Sequence, residues 1–402
     1  MRNYINILLA LVIGISANGS AQSLDQYLTE AAENNPLLKA KYADFEASVQ
    51  RVAQVNSLPN PSISFGYLIS PSTPHPGTEK ASIGIRQTIP WFGTLKTSGS
   101  VYELQSEAMY HEFIDARNEL FMKVKSAWYP LYEVHREIEL HKENRKILES
   151  YKQLATTGFK VGKNSMSDVI RVDLLIEDTD TKIKLLEDKI KPLTVQFNRL
   201  LNREDNSEIE MVESIELVEI PLNYRRDSLL VSNPTLHSLD LKHQSAQASE
   251  VLAKKEGLPG FGVGLDYGFM PDGRNMIMPM ISVTLPIYRK KYKAFAKESQ
   301  LKQEAIEHYK SDVENTLISS YELTFYELKS AKEQLLLYER QIEKSKQIIT
   351  LLEKEYGNSG EDFVEILRMQ QELINYQIAE ATATKNFFIA LAKLDYLTAK
   401  SE

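Results

Sequence analysis

The apolar positions between residues 164 and 201 follow one period over the whole stretch. They alternate spacings of three and four residues, the heptad pattern of a coiled coil, for about four and a half repeats. The pattern predicts one long helix whose apolar stripe packs against a neighbouring helix. The stripe consists of Val169, Val172, Ile176, Thr179, Ile183, Leu186, Ile190, Leu193, Phe197 and Leu200.

The same stripe recurs 197 positions later, as the step from Val169 to Ile366 illustrates. Such recurrence over half the chain indicates an internal duplication. Glu380 is the one charged residue of this second stripe. The second stripe consists of Ile366, Met369, Leu373, Tyr376, Glu380, Ala383, Phe387, Ala390, Leu394 and Leu397.

A period of two replaces the helical period in two places, once in each half. Strands are predicted over residues 61–70 and 80–89, and again over 260–269 and 276–285. Each strand has about the ten residues that a tilted strand needs to cross a bilayer. One face is apolar and the other small or polar, which fits lipid outside and water inside. A hairpin lying on a soluble core is the alternative, but the repetition of order and length in both halves favours membrane strands.

The remaining segments predict long helical hairpins separated by turns at Gly158–Gly162 and 356–360. Pro130 is expected to kink or break the first of these helices. The predicted organisation begins with a signal peptide over 1–21 and a first repeat over 22–201, whose hairpin covers 95–201. A linker or equatorial region over 202–226 follows. The second repeat covers 227–402, with its hairpin over 291–398.

Composition and the N-terminus define the class and the destination of the chain. With 43% hydrophobic and 25% charged residues, it is neither a disordered chain nor a polytopic helical membrane protein. A formal charge of −8 argues against nucleic acid. Arg2, the apolar residues 5–15 and the small residues 19–21 read as a secretory signal, with a buried N-terminal helix as the alternative. The absence of cysteine excludes disulfides and a lipid-acceptor cysteine.

Four strands in one chain are too few to enclose a pore. Edges of an open sheet cannot lie in lipid because their amides would be unpaired, and membrane barrels begin at about eight strands. No later segment is apolar enough for a spanning helix, so any integral membrane contact is expected from the strands. The chain is therefore expected to oligomerise, with two copies supplying eight strands or three copies twelve.

Four motifs stand in the order and at the spacing found in one protein family. They are residues 32–36 (AENNP), 87–93 (QTIPWFG), 285–288 (LPIY) and 390–398 (ALAKLDYLT). Over essentially the whole mature chain the sequence resembles the TolC family of outer membrane efflux proteins, including its heavy-metal branch. The resemblance implies a membrane α+β fold: a homotrimer with one twelve-stranded outer-membrane β-barrel and a periplasmic coiled-coil α-barrel.

The resemblance also implies a function. The chain would be the passive outer membrane channel of a tripartite system, receiving heavy-metal cations or small drugs from a periplasmic adaptor and an inner-membrane pump of the RND type. No catalytic triad or nucleotide-binding motif is present, so neither an enzyme nor a cofactor is expected. The alternatives are a type I secretion duct for polypeptides and a periplasmic coiled-coil adaptor or structural protein.

By the same resemblance, the hairpin turns form the periplasmic gate and contact the adaptor. Glu365 stands where family members have an aspartate facing the pore, and three copies would form a cation-binding ring. Glu361 replaces an arginine that ties the tip shut, and Arg368 replaces a second pore acid. Ordinary first-turn acids, stabilised by the helix dipole, are the alternative reading. The candidate tip residues are Gly162, Asp168, Gly360, Glu361, Asp362 and Glu365.

Three methionines alternate along the fourth predicted strand. If Ile281 and Val283 face lipid, then Met276, Met278 and Met280 face the lumen. Thioethers are suited to Cu(I) or Ag(I), although methionine also serves as plain filler. The sequence thus suggests a transient metal contact without predicting a firm metal site.

Overall fold

The computed structural model describes residues 21–69, 79–163, 165–211, 215, 226–270, 273–359 and 363–400. These residues form eight helices and four strands. The helices are α1 (Ala21–Asn34), α2 (Pro36–Val55), α3 (Thr94–Lys160), α4 (Met166–Leu200), α5 (Arg226–Ser232), α6 (Pro234–Glu256), α7 (Lys290–Ser359) and α8 (Phe363–Leu397). The strands are β1 (Ser62–Tyr67), β2 (Ala81–Ile89), β3 (Gly260–Phe269) and β4 (Met276–Thr284).

The order of elements agrees with the duplicated plan, with small differences at the ends. β1 is shorter than predicted, and α7 continues to Ser359, beyond the predicted start of the turn. α3 is unbroken despite Pro130. The predicted signal peptide and much of the predicted linker lie outside the described residues. These two predictions, like the domain boundaries, stay predictions.

The described residues form two compact units. The sheet unit contains the described residues of Leu37–Ala116 and Leu229–Ile318, and therefore all four strands. The hairpin unit contains those of Met1–Pro36, Arg117–Ser228 and Ser319–Glu402.

The strands form one antiparallel sheet in the order β1-β2-β3-β4. Ile85 lies opposite both Ile63 of β1 and Leu265 of β3, and Leu265 lies opposite Pro279 of β4. Directly paired residues share a face, so the register separates two sets of side chains. The apolar face carries Ile63, Phe65, Tyr67, Ile83, Ile85, Phe261, Val263, Leu265, Tyr267, Ile277, Ile281 and Val283.

The opposite face of the sheet is small and polar. It carries Ser64, Gly84, Arg86, Gly262, Gly264, Asp266, Gly268, Met276, Met278, Met280 and Ser282. Most large side chains of the apolar face are exposed in the single chain, with Phe65 at 73% and Ile281 at 84%. Phe261 and Tyr267 are half-buried. The predicted separation of an apolar face from a small, polar face is therefore present.

The core of the hairpin unit follows the predicted stripes. Every stripe position of α4 and α8 is buried or half-buried, and α8 contributes the larger share of the core. Asn35 ties the start of the chain to this unit, because its side-chain amide donates a 2.9 Å hydrogen bond to the Leu200 carbonyl. Asn233 caps α6 by accepting a 3.2 Å hydrogen bond from the Leu236 amide, with Pro234 as the first helical residue.

Candidate functional site

The α3–α4 turn is shaped by a glycine in the left-handed region. Gly162 has φ +74°, and its amide donates to the Phe159 carbonyl at 3.1 Å. The Lys163 amide donates to the Gly158 carbonyl at 2.8 Å. Together these two bonds form a Schellman motif that closes α3. Because a Cβ at Gly162 would meet no atom within 4 Å, the requirement for glycine comes from the backbone angle alone.

Asp168 lies in the first turn of α4 and holds the start of that helix. Its carboxylate accepts the Ser165 backbone amide at 3.0 Å and the Ser165 hydroxyl at 2.8 Å. This is a capping box, which satisfies donors that the helix leaves unpaired. The alternative reading of Asp168 as a first-turn acid therefore has a specific structural basis. Its role as a gate residue stays a prediction.

The start of α8 uses its first-turn acid differently. Arg368 Nε donates to Glu365 at 2.8 Å, a second guanidinium nitrogen also binds Glu365, and Arg368 Nη1 donates to Glu372 at 2.8 Å. These hydrogen bonds lower the pKa of Glu365 and raise that of Arg368. The three exposed side chains form a triad in which one cation lies between two anions. A ring of Glu365 would thus include a compensating arginine.

The remaining candidates of this tip, Gly360, Glu361 and Asp362, lie outside the described residues, and their roles stay predictions. An apolar cluster from four helices lies next to both helix starts. Its fully or nearly buried members are Leu148, Tyr151, Ala155, Val169, Val172, Tyr356, Phe363, Ile366 and Leu367. The first turns of α4 and α8 therefore pack on one common apolar cluster.

Tyr151 links α3 to α7 within this cluster. Its hydroxyl donates a 2.8 Å hydrogen bond to Glu353, and burial together with this carboxylate raises the pKa of Tyr151. The tyrosine is 202 positions from its partner, so the pair joins the two repeats. Sequence reasoning missed this bond because no local pattern marks it.

The methionines lie on the polar face of the sheet, as the alternation predicted. Met278 is directly opposite Asp266, while Met276 and Met280 are opposite Gly268 and Gly264. The two glycines place no side chain beside the flanking thioethers. Among the described residues no group of three or more histidines, aspartates or glutamates is arranged to hold a metal ion. The suggested thioether contact remains untested.

Asp266 adds a charged group to the polar face of the sheet, beside the methionines. Arg86 Nη2 lies 3.5 Å from one Asp266 oxygen, and the other oxygen is buried without a hydrogen-bond partner in the described structure. A Cβ at Gly84 would collide with the same carboxylate, so a larger residue at this position would require the Asp266 side chain to move. The polar face is therefore a mixed surface of thioethers, small residues and one ion pair.

None of the described helices combines the length and the apolar character needed to cross a membrane. The first repeat gives the clearest comparison with known proteins: residues 27–203 match the family described as outer membrane efflux protein. The first repeat of this chain is therefore similar to outer membrane efflux proteins. Members of that family are passive outer membrane channels and not enzymes. No curated protein sequence matches the chain.

Solved structures extend this likeness to the whole fold. The outer-membrane channel OprN is 15% identical, with a TM-score of 0.76, covering 94% of this chain and 90% of its own. VceC from Vibrio cholerae is 13% identical, with a TM-score of 0.72 and coverages of 94% and 96%. The open MtrE channel of Neisseria gonorrhoeae is 15% identical, with a TM-score of 0.75 and coverages of 94% of this chain and 88% of its own. These likenesses confirm the duplicated TolC-like fold.

Two further polar contacts lie in the hairpin unit. The Gln370 amide donates to Asn144 at 2.9 Å, and both side chains are buried. Lys385 lies 2.8 Å from the buried Glu133. Each pair joins α3 to α8 and satisfies groups that would be costly to bury alone. Gln370 and Lys385 lie outside the heptad stripe, so the stripe did not indicate them.

The structure also brings together two histidines that the sequence separates. The His111 and His237 rings have centroids 5.3 Å apart in the sheet unit. Burial and the neighbouring His237 lower the pKa of His111. Sequence reasoning found no histidine pair because these two lie on different helices of different repeats.

Proposed function

We propose that three copies of this outer membrane efflux channel form one conduit. Each copy supplies four strands to a twelve-stranded barrel and two helical hairpins to a periplasmic α-barrel. Solute enters from a periplasmic adaptor and an inner-membrane pump of the RND type, and it leaves through the barrel. The channel itself is passive, so the pump provides the energy.

The observation that carries this proposal is the sheet with two different faces and two open edges. Within the described residues, β1 pairs only with β2 and β4 pairs only with β3. An edge strand exposes amides and carbonyls that lipid cannot satisfy. Pairing β4 of one chain with β1 of the next removes every edge and places the apolar face towards lipid. The polar face then lines the lumen.

The mass of the detergent-solubilised protein gives the first test. After subtraction of detergent, light scattering should give about three times the mass of the mature chain, which is below 45.9 kDa because the signal is removed. A water-soluble monomer obtained without detergent would contradict the conduit and favour a periplasmic coiled-coil protein.

Cysteine pairs then test the predicted junction between chains. The chain has no cysteine, so each introduced pair is read without background. Phe65→Cys on β1 is combined in turn with Ile277→Cys, Pro279→Cys or Ile281→Cys on β4. At least one combination should give covalent dimers and trimers, because facing strands have Cα atoms about 4.5–5.5 Å apart.

The control pair joins strands that already face one another within the chain. Ile85 and Leu265 are directly opposite, so Ile85→Cys with Leu265→Cys should give a disulfide at monomer mass. Monomers from every β1–β4 combination, alongside an oxidised control, would contradict the proposed barrel junction.

We assign small solutes as the cargo, and the methionines on the polar face of the sheet favour soft metal cations. Met276, Met278 and Met280 would line the lumen, where thioethers can exchange Cu(I) or Ag(I) weakly. In a strain lacking the native gene, leucine at all three positions should reduce resistance to silver and copper but not to drugs. Met166→Leu, at an exposed site elsewhere, is the control. An equal loss of all resistances would contradict a metal-specific contact.

At the tip, Gly162, Asp168, Gly360, Glu361, Asp362 and Glu365 are proposed to form the gate and the adaptor contact. The Glu365–Arg368–Glu372 triad has one more acid than base, so three copies retain a net negative charge. This favours cations more weakly than a ring of unpaired acids would.

A further inference from the structure

We propose that the start of α7 binds the phosphate head groups of anionic phospholipids in the periplasmic leaflet of the outer membrane. This inference rests on the proposed placement of the sheet in that membrane. It adds a lipid-binding surface, at the junction of β4 and α7, to the conduit. We call this surface the basic junction and define it as Leu285–Lys297.

The basic junction concentrates positive charge in a short stretch. Its cations are Arg289, Lys290, Lys291, Lys293 and Lys297, and the first acid after them is Glu298. All five side chains are exposed. In the described part of the chain, none of the five forms an ion pair with a carboxylate. Lys291 Nζ instead lies 5.7 Å from the centre of the Tyr292 ring. The charge is therefore available to an external anion.

The helix itself strengthens the attraction for an anion. α7 begins at Lys290, so three lysines lie in its first turn, where the unpaired amides already create a positive potential. By contrast, the first turns of α4 and α8 contain the acids Asp168 and Glu365. Cations at this end of a helix are unfavourable unless an anion accompanies them.

The residues before the cations indicate what kind of molecule carries that anion. Leu285, Ile287 and Tyr288 are 62%, 78% and 90% exposed. They directly follow β4 and precede the cations, so exposed apolar and basic side chains occur together. A free phosphate would satisfy only the basic part. A phospholipid satisfies both, since basic side chains place their stems in the apolar region and their charge at the head groups.

A cavity next to the basic junction provides space for a head group. It has a volume of about 590 Å³, and its lining includes Trp91, Leu285, Tyr288, Lys291 and Tyr292. Lys255 and Glu256 also line it, and Lys255 donates to Thr97 Oγ1 at 2.7 Å. Glu256 offsets one of the two positive charges in this lining, and Lys291 is the cation that the basic junction contributes to it.

Aromatic residues mark the same level of the sheet. The Trp91 and Phe261 rings are stacked with centroids 5.7 Å apart, and Phe92 lies 5.9 Å from Phe261. Tryptophan and tyrosine favour the boundary between hydrocarbon and head groups. The cations of the basic junction therefore lie where phosphates of the periplasmic leaflet are expected.

The corresponding junction of the first repeat shows that a long helix can begin here without this charge. There, residues 90–96 read PWFGTLK and contain one lysine. α3 nevertheless extends from Thr94 to Lys160. The basic run is therefore not needed to join a strand to a helix, and it requires another explanation.

Lipid binding by the purified full-length protein in neutral detergent tests the inference. Native mass spectrometry would count bound phosphatidylglycerol and phosphatidylcholine with matched acyl chains. The wild type should bind phosphatidylglycerol at least about tenfold more tightly, given three lysines near the head groups. The variant K290Q/K291Q/K293Q should lose this preference. K184Q/K191Q/K344Q, which removes three exposed lysines of the hairpin unit, should keep it.

Several outcomes would overturn the proposal. These are equal binding of the two lipids by the wild type, an unchanged preference in K290Q/K291Q/K293Q, or complete displacement of phosphatidylglycerol by millimolar inorganic phosphate, which would indicate a small-anion site. If the glutamine variant does not fold, the charge-retaining K290R/K291R/K293R and the single K293Q decide the question: the first should keep the preference and the second should weaken it.

Ion conductance of the same preparations in planar bilayers separates this inference from the proposed function. A channel that conducts but shows no lipid preference overturns only the basic junction. A protein that prefers phosphatidylglycerol but does not conduct contradicts the proposed conduit instead.

Discussion

Helices α4 and α8 occupy equivalent places in the two repeats, yet they differ greatly in burial. Each has 35 residues, and each apolar stripe occupies the same positions. α4 has five buried residues, whereas α8 has fifteen. The shared heptad stripe thus identifies both helices but does not determine how much of each is covered.

The difference lies in a second stripe with a period of seven. α8 has Leu367, Ile374, Ala381 and Phe388 there, and all four are buried. The equivalent residues of α4 are Ile170, Glu177, Lys184 and Lys191, and all four are exposed. α8 therefore has a broad apolar surface that is buried along two stripes, whereas α4 has a narrow apolar seam and a solvated face.

A charge placed in the second stripe of α8 should have the largest effect. Ile374→Glu introduces the residue that α4 has at this position, and Ile374 is 2% exposed. Burying an unpaired carboxylate should cost at least about 3 kcal/mol and abolish the assembled channel. Heat-induced dissociation of the assembled protein in detergent measures the loss.

The matched change in α4 is Glu177→Ile, which should alter the dissociation temperature little because Glu177 is exposed. Equal losses from Ile374→Glu and Glu177→Ile would show that the two helices are equally covered in the assembled channel. The difference in burial would then belong to the single chain alone.

Removal of one aromatic ring from the shared stripe should have the next largest effect. Phe387 is 1% exposed, and its equivalent in α4, Ile190, is only half-buried. Phe387→Ala should cost about 3–5 kcal/mol through a cavity, while Ile190→Ala should cost less because its site can partly refill with solvent. Denaturant unfolding of both variants compares them directly, and a larger loss for Ile190→Ala would contradict this order.

Alanine substitutions in the first turns of α4 and α8 should also differ in their effect on stability. Asp168→Ala removes both acceptor contacts to Ser165 and should cost about 1 kcal/mol, the usual value for a lost cap. Glu365→Ala removes only an exposed ion pair and should not shift the melting temperature measurably. Equal shifts would mean that Glu365 has a capping contact beyond its bonds to Arg368.

Arg368→Gln compares the first turns of α8 and α4 by ion selectivity instead of stability. It leaves Glu365 and Glu372 without their cation, so three copies should gain three negative charges near the proposed gate. Reversal potentials in a salt gradient should shift towards higher cation selectivity. Arg171→Gln, at the equivalent exposed position of α4, is the control. An unchanged reversal potential in Arg368→Gln would place the triad away from the conduction path.

The sequence predicted the features that repeat or alternate. The heptad stripes, the four strands and the separation of the sheet faces all follow from local periods, and the structure confirms them. The second stripe was also visible in the sequence, at Leu367, Ile374, Ala381 and Phe388, but it becomes apparent only when the two copies are aligned outside the shared seam.

The contacts between the repeats could not be predicted in this way. Tyr151 with Glu353 and Gln370 with Asn144 join residues more than 200 positions apart. Their partners depend on how helices of both repeats pack, and a single sequence contains no period that relates them. The gate residues have the same difficulty, because their roles depend on copies of the chain that surround the pore.

The charged exception in the α8 stripe should have the smallest effect, and its sign depends on pH. Glu380 is half-buried, and burial raises its pKa above the ordinary value of 4.5. The folded state therefore holds this proton more tightly than the unfolded state, and stability increases as the pH falls through the raised pKa.

Glutamine imitates the protonated form, and the equivalent α4 residue is Ile183. Glu380→Gln should stabilise the protein at pH 7 by less than about 1 kcal/mol, because solvent screens a half-exposed group. The gain should disappear below pH 4.5, where wild-type Glu380 is protonated in both states. Melting curves of both proteins between pH 4 and pH 8 measure this difference. A gain that is independent of pH would indicate that the substitution improves packing instead of removing a buried charge.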